Sequence, residues 1–278
     1  MITHTALDIV TDAQRAGTGI GAFNVVLLEH AEAIAAGADR AQRPVVFQIS
    51  QNCVAYHGSL APIALATMSI ARSIPVPTLV HLDHADDVDL VREAVNLGVQ
   101  SVMFDASTLP YDENVALTKQ VAEYCHANGV LVEAELGEVG GKDGVHAPGA
   151  RTDPHDARRF VEQTGIDWLA VAVGTSHAMT TREASVDGDL IRRIASAVEK
   201  PLVLHGSSGL PDQQLELAVQ AGMTKVNIST HLNALFSGAV RASLDADPRR
   251  VDPRKYIAPG RTAVAEEIDR LLRLLDVA

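Results

Sequence analysis

Eight short apolar segments, separated by longer amphipathic ones, are the feature that most restricts how this chain of 278 residues can fold. Most of the short segments are apolar at consecutive positions, which is typical of parallel strands buried on both faces. Several begin after Pro or Gly and end at Gly, Ser or a charged residue, as strands commonly do. They predict strands at 19–26, 44–50, 77–83, 99–104, 130–136, 167–174, 201–206 and 224–229.

The segments between the strands repeat their apolar residues with the period of an α-helix. Several are followed within two residues by glycine, the usual residue just beyond a helix, as at Gly98 and Gly165. Asp153 before Pro154 provides an N-cap followed by proline at the first helical position. The predicted helices span 29–41, 59–73, 87–96, 112–127, 154–164, 188–199 and 211–221, with a tail helix at about 260–276.

The regular alternation of strands and helices predicts an α/β protein with a parallel sheet. Eight strand–helix units leave little room for a second domain. We therefore expect residues 1–278 to form a single (β/α)8 TIM barrel with a C-terminal helical extension. The alternative is an open, doubly wound sheet, which would need a G-x-G-x-x-G motif after the first strand. The sequence GIGAFN at 19–24 does not contain that motif.

The charge of the chain is acidic, because 23 Lys and Arg residues against 35 Asp and Glu residues give a formal net charge of −12. Nucleic acids are bound by basic surfaces, so we expect no nucleic-acid partner. No run of about 18 apolar residues predicts a membrane span, and residues 1–10 lack the pattern of a secretory signal. Cys53 and Cys125 form no disulfide-like or C-x-x-C pattern. We therefore expect a cytoplasmic protein with no membrane partner.

Three histidines follow predicted strands at the end of the barrel where active sites of this fold lie. His84, His177 and His205 come after the third, sixth and seventh strands. Three imidazoles with one open coordination position make up a catalytic zinc site. The alternative is three histidines that are each hydrogen-bonded separately.

Carboxylates accompany these histidines. Asp83 precedes His84 and could orient a metal-bound histidine, transfer protons, or cap the next helix. Glu133 and Glu135 share one face of the fifth strand, where a buried carboxylate needs a cation or hydrogen-bond donors. His81 is expected to lie buried inside the barrel.

The ends of the last two strands are rich in glycine and hydroxyl groups. The sequences HGSSG at 205–209 and NIST at 227–230 suit a phosphate site made of backbone N–H groups and hydroxyls, although ordinary turns use the same residues. A Schiff base would need a lysine at the barrel mouth. Lys225 starts the eighth strand and is expected at the opposite end, so the sequence favours metal chemistry over imine chemistry.

Seven segments, in this order along the chain, resemble the motifs of class II fructose-1,6-bisphosphate and tagatose-1,6-bisphosphate aldolases: HLDHADD, SVMFDAS, EAELGEVGG, GIDWLAVAVGTSHA, PLVLHGSSGLP, KVNIST and DPRKYIAPGR. The resemblance implies a zinc-dependent aldolase that cleaves a ketose 1,6-bisphosphate, with fructose 1,6-bisphosphate as the first expectation, to dihydroxyacetone phosphate and glyceraldehyde 3-phosphate. Tagatose 1,6-bisphosphate or another phosphorylated keto-sugar is the alternative substrate. A non-catalytic barrel subunit of an aldolase complex is the alternative from another class.

The resemblance also implies roles for individual residues. His84, His177 and His205 correspond to zinc ligands, and Asp83 to the general acid/base that serves the C4 hydroxyl. The substrate positions are Asn24, Ser50, Ala178, Gly206, Ser207, Ser208, Asn227, Ile228, Ser229 and Thr230. Asp105 and Glu135 correspond to carboxylates in the surroundings of the metal. A monovalent cation, Na⁺ or K⁺, and a homodimer or homotetramer are further expectations.

The chain departs from the family pattern at three positions. Ala178 replaces a glycine that usually follows the second zinc histidine, and His231 replaces an acidic or amide residue. In the glycine-rich loop 137–153, Asp143 stands in for a glutamate proposed to exchange the C3 proton. Arg254 and Arg261, of the same chain or of a neighbouring subunit, are candidates for binding the second phosphate, and the alternative is that both are solvated residues at a helix start.

Overall fold

The computed structural model describes residues 6–136, 151–175 and 182–277, with side chains from residue 9 onward. Eight parallel strands form a closed barrel in sequence order, and β8 pairs with β1. The predicted (β/α)8 TIM barrel is confirmed. The strands are β1 Ile20–Asn24, β2 Val45–Ser50, β3 Thr78–Ala85, β4 Ser101–Phe104, β5 Leu131–Glu135, β6 Trp168–Ala170, β7 Leu202–Leu204 and β8 Met223–Ile228.

Helices surround the barrel at each predicted position. They are α1 Ala6–Ala16, α2 Leu28–Ala41, α3 Gln51–His57, α4 Ala61–Ala71, α5 Val88–Leu97, α6 Tyr111–Ala127, α7 Pro154–Thr164, α8 Gly188–Ala197, α9 Asp212–Ala221, α10 Thr230–Ala246 and α11 Pro253–Leu274. The predicted N-cap of α7 is present, because the Asp153 side chain accepts hydrogen bonds from the backbone N–H groups of His155 and Asp156. Among the described residues no single helix is long and apolar enough to cross a membrane, although the bent pair α3 and α4 passes by length and composition together.

Three helices were not predicted from the sequence: α1 before β1, α3 after β2 and α10 after β8. The tail helix α11 begins at Pro253, seven residues before its predicted start. Pro259 lies inside α11 and cannot bond the carbonyl of Lys255 one turn earlier. Ser243 Oγ of α10 donates to that carbonyl at 3.4 Å. A tertiary contact therefore supports a helix that the local sequence predicts should be broken.

The barrel interior has an apolar part at one end and a polar part near the mouth. Ile9 and Val10 of α1 pack with inward-facing Leu79, Met103 and Trp168 at the N-terminal end of the strands. Five polar side chains inside the barrel are fully buried: Gln48, His81, Ser101, Glu133 and Lys225. Burial of such groups requires hydrogen-bond partners, and these partners lead to the site.

The C-terminal helices pack across one side of the barrel. Helix α11 lies against α2, and the contact is close enough that a Cβ on Gly37 would be 2.6 Å from Ile268 Cγ2 and 2.7 Å from the Ala265 carbonyl oxygen. This close contact packs α11 against α2 on the side of the barrel that contains β1.

Candidate active site

A cleft of about 740 Å³ opens at the C-terminal ends of the strands. The described residues that line it are Asn24, Ser50, Asn52, Asp83, His84, Gly206, Ser208, Asn227, Ser229 and Thr230. All of these except Asn52 were predicted from the sequence. Asn52 was missed because it belongs to α3, which was not predicted. The sequence signal for α3 is Ser50, whose side chain caps the helix by accepting a hydrogen bond from the Cys53 N–H at 3.2 Å.

A cluster of possible metal ligands lies beside this cleft. Donor atoms of His84, Glu135 and His205 lie within 4.8 Å of one another. Imidazole nitrogens and carboxylate oxygens are the ligands that zinc takes in catalytic sites. His177, the third predicted ligand, lies outside the described residues. The structure therefore brings together two of the three predicted histidines and adds Glu135 to them.

Each histidine of the cluster is oriented by a second carboxylate. His84 Nδ1 lies 2.8 Å from Asp105 Oδ2, and His205 Nε2 lies 2.9 Å from Glu133 Oε1. Metal-bound histidines commonly use one ring nitrogen for the metal and the other for such a partner. The donor set therefore fits zinc, for which Nε2 of His84 and Nδ1 of His205 would be the ligating atoms.

The backbone at His84 explains how consecutive residues reach one site. The register between β3 and β4 shifts between Leu82 and Ala85, and His84 has a φ of +50°, in the left-handed region. A bulge of this kind redirects side chains that would otherwise alternate between the two faces of the strand. Such strained backbone is common where function requires it. Asp83 and His84 consequently both line the cleft.

Burial and nearby charges shift the pKa values of the residues in this cluster. Although burial opposes it, the charge of Asp83 and the hydrogen bond to Asp105 raise the pKa of His84 to about 10. Burial and the charge of Asp105 raise the pKa of Glu135 to about 8. The pKa of Asp105 is lowered by its bond to His84, against the effect of burial. A cation bound here must displace protons from His84 and Glu135 at neutral pH.

Asp83 is placed to act on a bound molecule. Its Oδ2 accepts a hydrogen bond from Asn24 Nδ2 at 3.1 Å, and Gln48 Nε2 donates to Asn24 Oδ1 at 3.2 Å. Its Oδ1 is buried and has no hydrogen-bond partner among the described residues. The helix-cap alternative for Asp83 is wrong, since Asp87 caps α5 by accepting from the Asp89 N–H at 2.8 Å.

The opposite side of the cleft is made of a tight turn and a helix start. Gly206 has a φ of +67° and leads into a 3₁₀ turn at Ser207–Gly209. Ser208 Oγ accepts from the Ser229 N–H at 3.3 Å, which joins this turn to the segment before α10. Hydroxyls and backbone N–H groups at a helix start suit a phosphate.

Some predicted substrate residues have other positions. Ser207 is buried and donates from Oγ to the Asn227 carbonyl oxygen, and Ile228 is buried in the core. Both support the cleft without lining it. Arg254 pairs with Asp252 and Arg261 with Glu32, and neither lines the cleft of its own chain. Asp143 and Ala178 lie outside the described residues.

His231, the third departure, turns away from the cleft. Its Nε2 lies 2.8 Å from Glu267 Oε1 of α11, and Arg270 also pairs with Glu267 at 2.7 Å. Arg270 continues to Asp212 of α9 at 2.6 Å. Although burial opposes it, the bonds from Arg270 and His231 lower the pKa of Glu267 to about 2. His231 thus fixes the first turn of α10 to the helices behind it.

The position predicted for Lys225 was wrong. Its Cα lies early in β8, but its side chain runs up the barrel interior, and Nζ lies 2.8 Å from Glu133 Oε2 and 2.9 Å from Asn227 Oδ1. His81 was correctly expected to be buried; its Nδ1 lies 2.8 Å from Ser101 Oγ. Burial and the charge of Lys225 hold the pKa of His81 well below its usual range.

Comparison with known proteins agrees with this geometry. Residues 4–278 match the family model described as fructose-bisphosphate aldolase class-II. The fold is similar to the YdjI aldolase from Escherichia coli K12, at 29% identity and a TM-score of 0.83, over 97% of this chain and 95% of that one. It is similar to a candidate fructose-1,6-bisphosphate aldolase from Coccidioides immitis, at 27% identity and a TM-score of 0.85, over 99% and 97%. A fructose-bisphosphate aldolase from Campylobacter jejuni, at 21% identity and a TM-score of 0.79 over 97% and 93%, shares the fold.

Proposed function

Since this chain belongs to the class II fructose-bisphosphate aldolase family, we propose that it cleaves a ketose 1,6-bisphosphate reversibly to dihydroxyacetone phosphate and glyceraldehyde 3-phosphate. Fructose 1,6-bisphosphate is the first candidate substrate. The chain is an aldolase, a lyase of carbon–carbon bonds, and its family is metal-dependent. The proposed metal is Zn²⁺.

One observation carries the proposal. The donor atoms of His84, Glu135 and His205 lie within 4.8 Å of one another, directly beside Asp83, whose Oδ1 is buried without a partner among the described residues. A cation site next to a carboxylate that can accept a proton is what aldol cleavage without an imine needs. The proposed ligands are His84, His205 and His177.

The residues of the cleft then have distinct tasks. Asp83 takes the proton of the C4 hydroxyl as the C3–C4 bond breaks, C4 becomes the aldehyde carbon, and the bonding electron pair passes to C3. Asn24 holds Asp83 through Oδ2 and so directs Oδ1 at the substrate. When bound, zinc supplies Lewis-acid stabilisation of the negative charge that develops at the C2 oxygen. Protonation of C3 completes dihydroxyacetone phosphate, and we propose Asp143 for this exchange.

Binding of the two ends of the substrate uses different groups. Ser208, Ser229 and Thr230 form the end that we assign to the phosphate of dihydroxyacetone phosphate, together with a Na⁺ or K⁺ ion. Arg254 or Arg261 would bind the second phosphate in the cleft of a neighbouring copy, because neither reaches the cleft of its own chain. We accordingly propose a homodimer or homotetramer. The location that we propose for the protein is the cytoplasm.

A coupled assay tests the function. Purified protein with fructose or tagatose bisphosphate should release dihydroxyacetone phosphate, EDTA should abolish the release, and added Zn²⁺ should restore it. Borohydride added with substrate should trap nothing. A lysine trapped by borohydride, or full activity after the metal is removed, would refute the proposal. A higher kcat/KM for tagatose bisphosphate would establish the alternative substrate.

The non-catalytic alternative is separated by the same preparation. A protein that binds zinc but cleaves no phosphorylated ketose until a second polypeptide is added would be a supporting subunit. The presence of both His84 and Asp83 in one cleft favours the catalytic function, since a purely supporting subunit needs neither.

A further inference from the structure

We propose that Lys225 is a positioning residue that fixes the hydrogen-bonding direction of two side chains at the site, Asn227 and His205. It acts on Asn227 directly and on His205 through Glu133. This inference rests on the proposed function, because it assigns Asn227 to the substrate and His205 to the metal.

The contacts form one buried chain. Lys225 Nζ lies 2.8 Å from Glu133 Oε2 and 2.9 Å from Asn227 Oδ1, and Glu133 Oε1 lies 2.9 Å from His205 Nε2. The side chains of Lys225 and Glu133 have no exposed surface. Asn227 and His205 are 9% and 4% exposed. This series of hydrogen bonds therefore joins the interior of the barrel to the two sides of the site.

At Asn227 the ammonium group determines which way the amide faces. An ammonium has only donors, so the amide oxygen must point at Lys225 and the amide NH₂ must point elsewhere. Asn227 lines the cleft, and its NH₂ is thereby presented as a donor to a substrate oxygen. Without Lys225 the amide could rotate and offer an acceptor to that oxygen.

At His205 the same ammonium acts through Glu133. Lys225 occupies Oε2 of Glu133, which leaves Oε1 directed at His205 Nε2. A carboxylate has only acceptors, so Nε2 carries the ring hydrogen and Nδ1 keeps the lone pair that can ligate a metal. The tautomer of His205 is thus determined two contacts away from Lys225.

Stability alone gives little reason for this buried ion pair. The cost of removing both charges from water largely offsets their attraction, and apolar replacements of such pairs are often neutral or stabilising. An amine and a carboxylate at these positions are better explained by the directions that they impose on Asn227 and His205.

The Asn227 arm is tested by ligand binding to the full-length protein after EDTA treatment. Calorimetry with dihydroxyacetone phosphate should show binding weakened about tenfold by Lys225→Met. In an Asn227→Ala background the same substitution should have no further effect. Inorganic phosphate should bind equally to all four proteins, because its site does not include Asn227.

The Glu133 arm is tested by zinc affinity, measured by competition with a chelator. Lys225→Met should weaken zinc binding about 10- to 100-fold, as loss of groups that orient a ligand commonly does. In a Glu133→Gln background it should have no further effect. Lys119→Met, which removes an exposed lysine of α6, is the matched control and should change neither affinity.

The outcomes separate a positioning role from a structural one. Unchanged affinities, or losses that simply add in the double variants, would overturn the proposal. If Lys225→Met does not fold, ¹⁵N NMR of the wild-type protein decides the His205 arm: a hydrogen on Nε2 supports the proposal and one on Nδ1 overturns it. Wild-type protein that cleaves no phosphorylated ketose would refute the proposed function instead, while the zinc-affinity test would still report on Lys225.

Discussion

Replacement of Asp83 by Asn removes the proposed proton acceptor and little else. Asp83 Oδ2 accepts a hydrogen bond from Asn24 Nδ2 at 3.1 Å. The oxygen of the introduced amide can accept the same bond, so its NH₂ group takes the place of Oδ1. Shape and volume are kept, and a donor now stands where the C4 hydroxyl must deliver its proton.

The expected loss follows from the role of the group. A positioned general base contributes about 10²- to 10⁴-fold to the rate, or roughly 3–5 kcal/mol of transition-state stabilisation. We expect Asp83→Asn to lower kcat by this factor. Zinc content should not fall, because the charge of Asp83 raises the pKa of His84, and its removal makes that ligand easier to deprotonate.

Two assays on one preparation separate the steps. The coupled assay measures cleavage, and ¹H NMR in D₂O measures exchange of the C3 protons of dihydroxyacetone phosphate. Exchange should persist in the variant, since Asp83 is assigned to the C4 hydroxyl. Asp89→Asn, at an exposed position of α5, is the control. Cleavage within about tenfold of wild type would refute the assignment, and loss of exchange together with cleavage would move Asp83 to the C3 step.

Three further predictions concern the metal, the packing and the acid stability. Zinc binding at pH 7 should release protons and should weaken as the pH falls. The reason is that neighbouring carboxylates overcome burial to raise the pKa of His84 to about 10, and burial raises the pKa of Glu135 to about 8. Calorimetry in buffers of different ionisation enthalpy measures the proton release, and a zinc affinity independent of pH would contradict the prediction. Gly37→Ala should destabilise the fold by about 1–3 kcal/mol in urea unfolding, because its Cβ would lie 2.6 Å from an isoleucine of α11. The control Gly238→Ala, with no atom within 4 Å of its Cβ, should stabilise by up to about 1 kcal/mol. The pKa of Glu267 is lowered to about 2 from an ordinary 4.5, so the stabilisation that its charge gives the fold is present above pH 4.5 and is lost as the pH falls toward 2. The Tm difference between wild type and Glu267→Gln should therefore be smaller at pH 3 than at pH 7. A constant Tm difference would disprove the linkage.

The barrel and most of its mouth could be predicted from the sequence because both depend on local patterns. Strands buried on both faces, with Pro or Gly at their boundaries, are visible as short apolar segments. Once the strands are placed, parallel pairing brings their carboxyl ends to one rim. Residues at the carboxyl ends of the strands or just beyond them, such as Asp83, Asn227 and Ser208, are therefore neighbours in space although they are far apart in the chain.

The missed elements depend on contacts that no local pattern contains. Helix α11 continues through Pro259, packed against α2 and α10, and Ser243 of α10 donates at 3.4 Å to the Lys255 carbonyl that the proline cannot bond. Helix α3 has only seven residues, too few to establish a helical period. Asn52, which lines the cleft, was therefore not predicted.

Lys225 shows a different limit of the rule that active sites lie at strand ends. Strand residues two apart point to the same face, and the rise of about 3.3 Å per residue places Asn227 roughly 6.6 Å above Lys225. An extended lysine side chain covers that distance, so its Nζ meets Asn227 Oδ1 at 2.9 Å. A residue's place along a strand therefore locates its Cα and not its charge. Listing strand ends finds the candidate substrate residues. By our proposal, the residues that decide whether those groups donate or accept lie one layer deeper, and they are found by asking which long side chains point into the barrel.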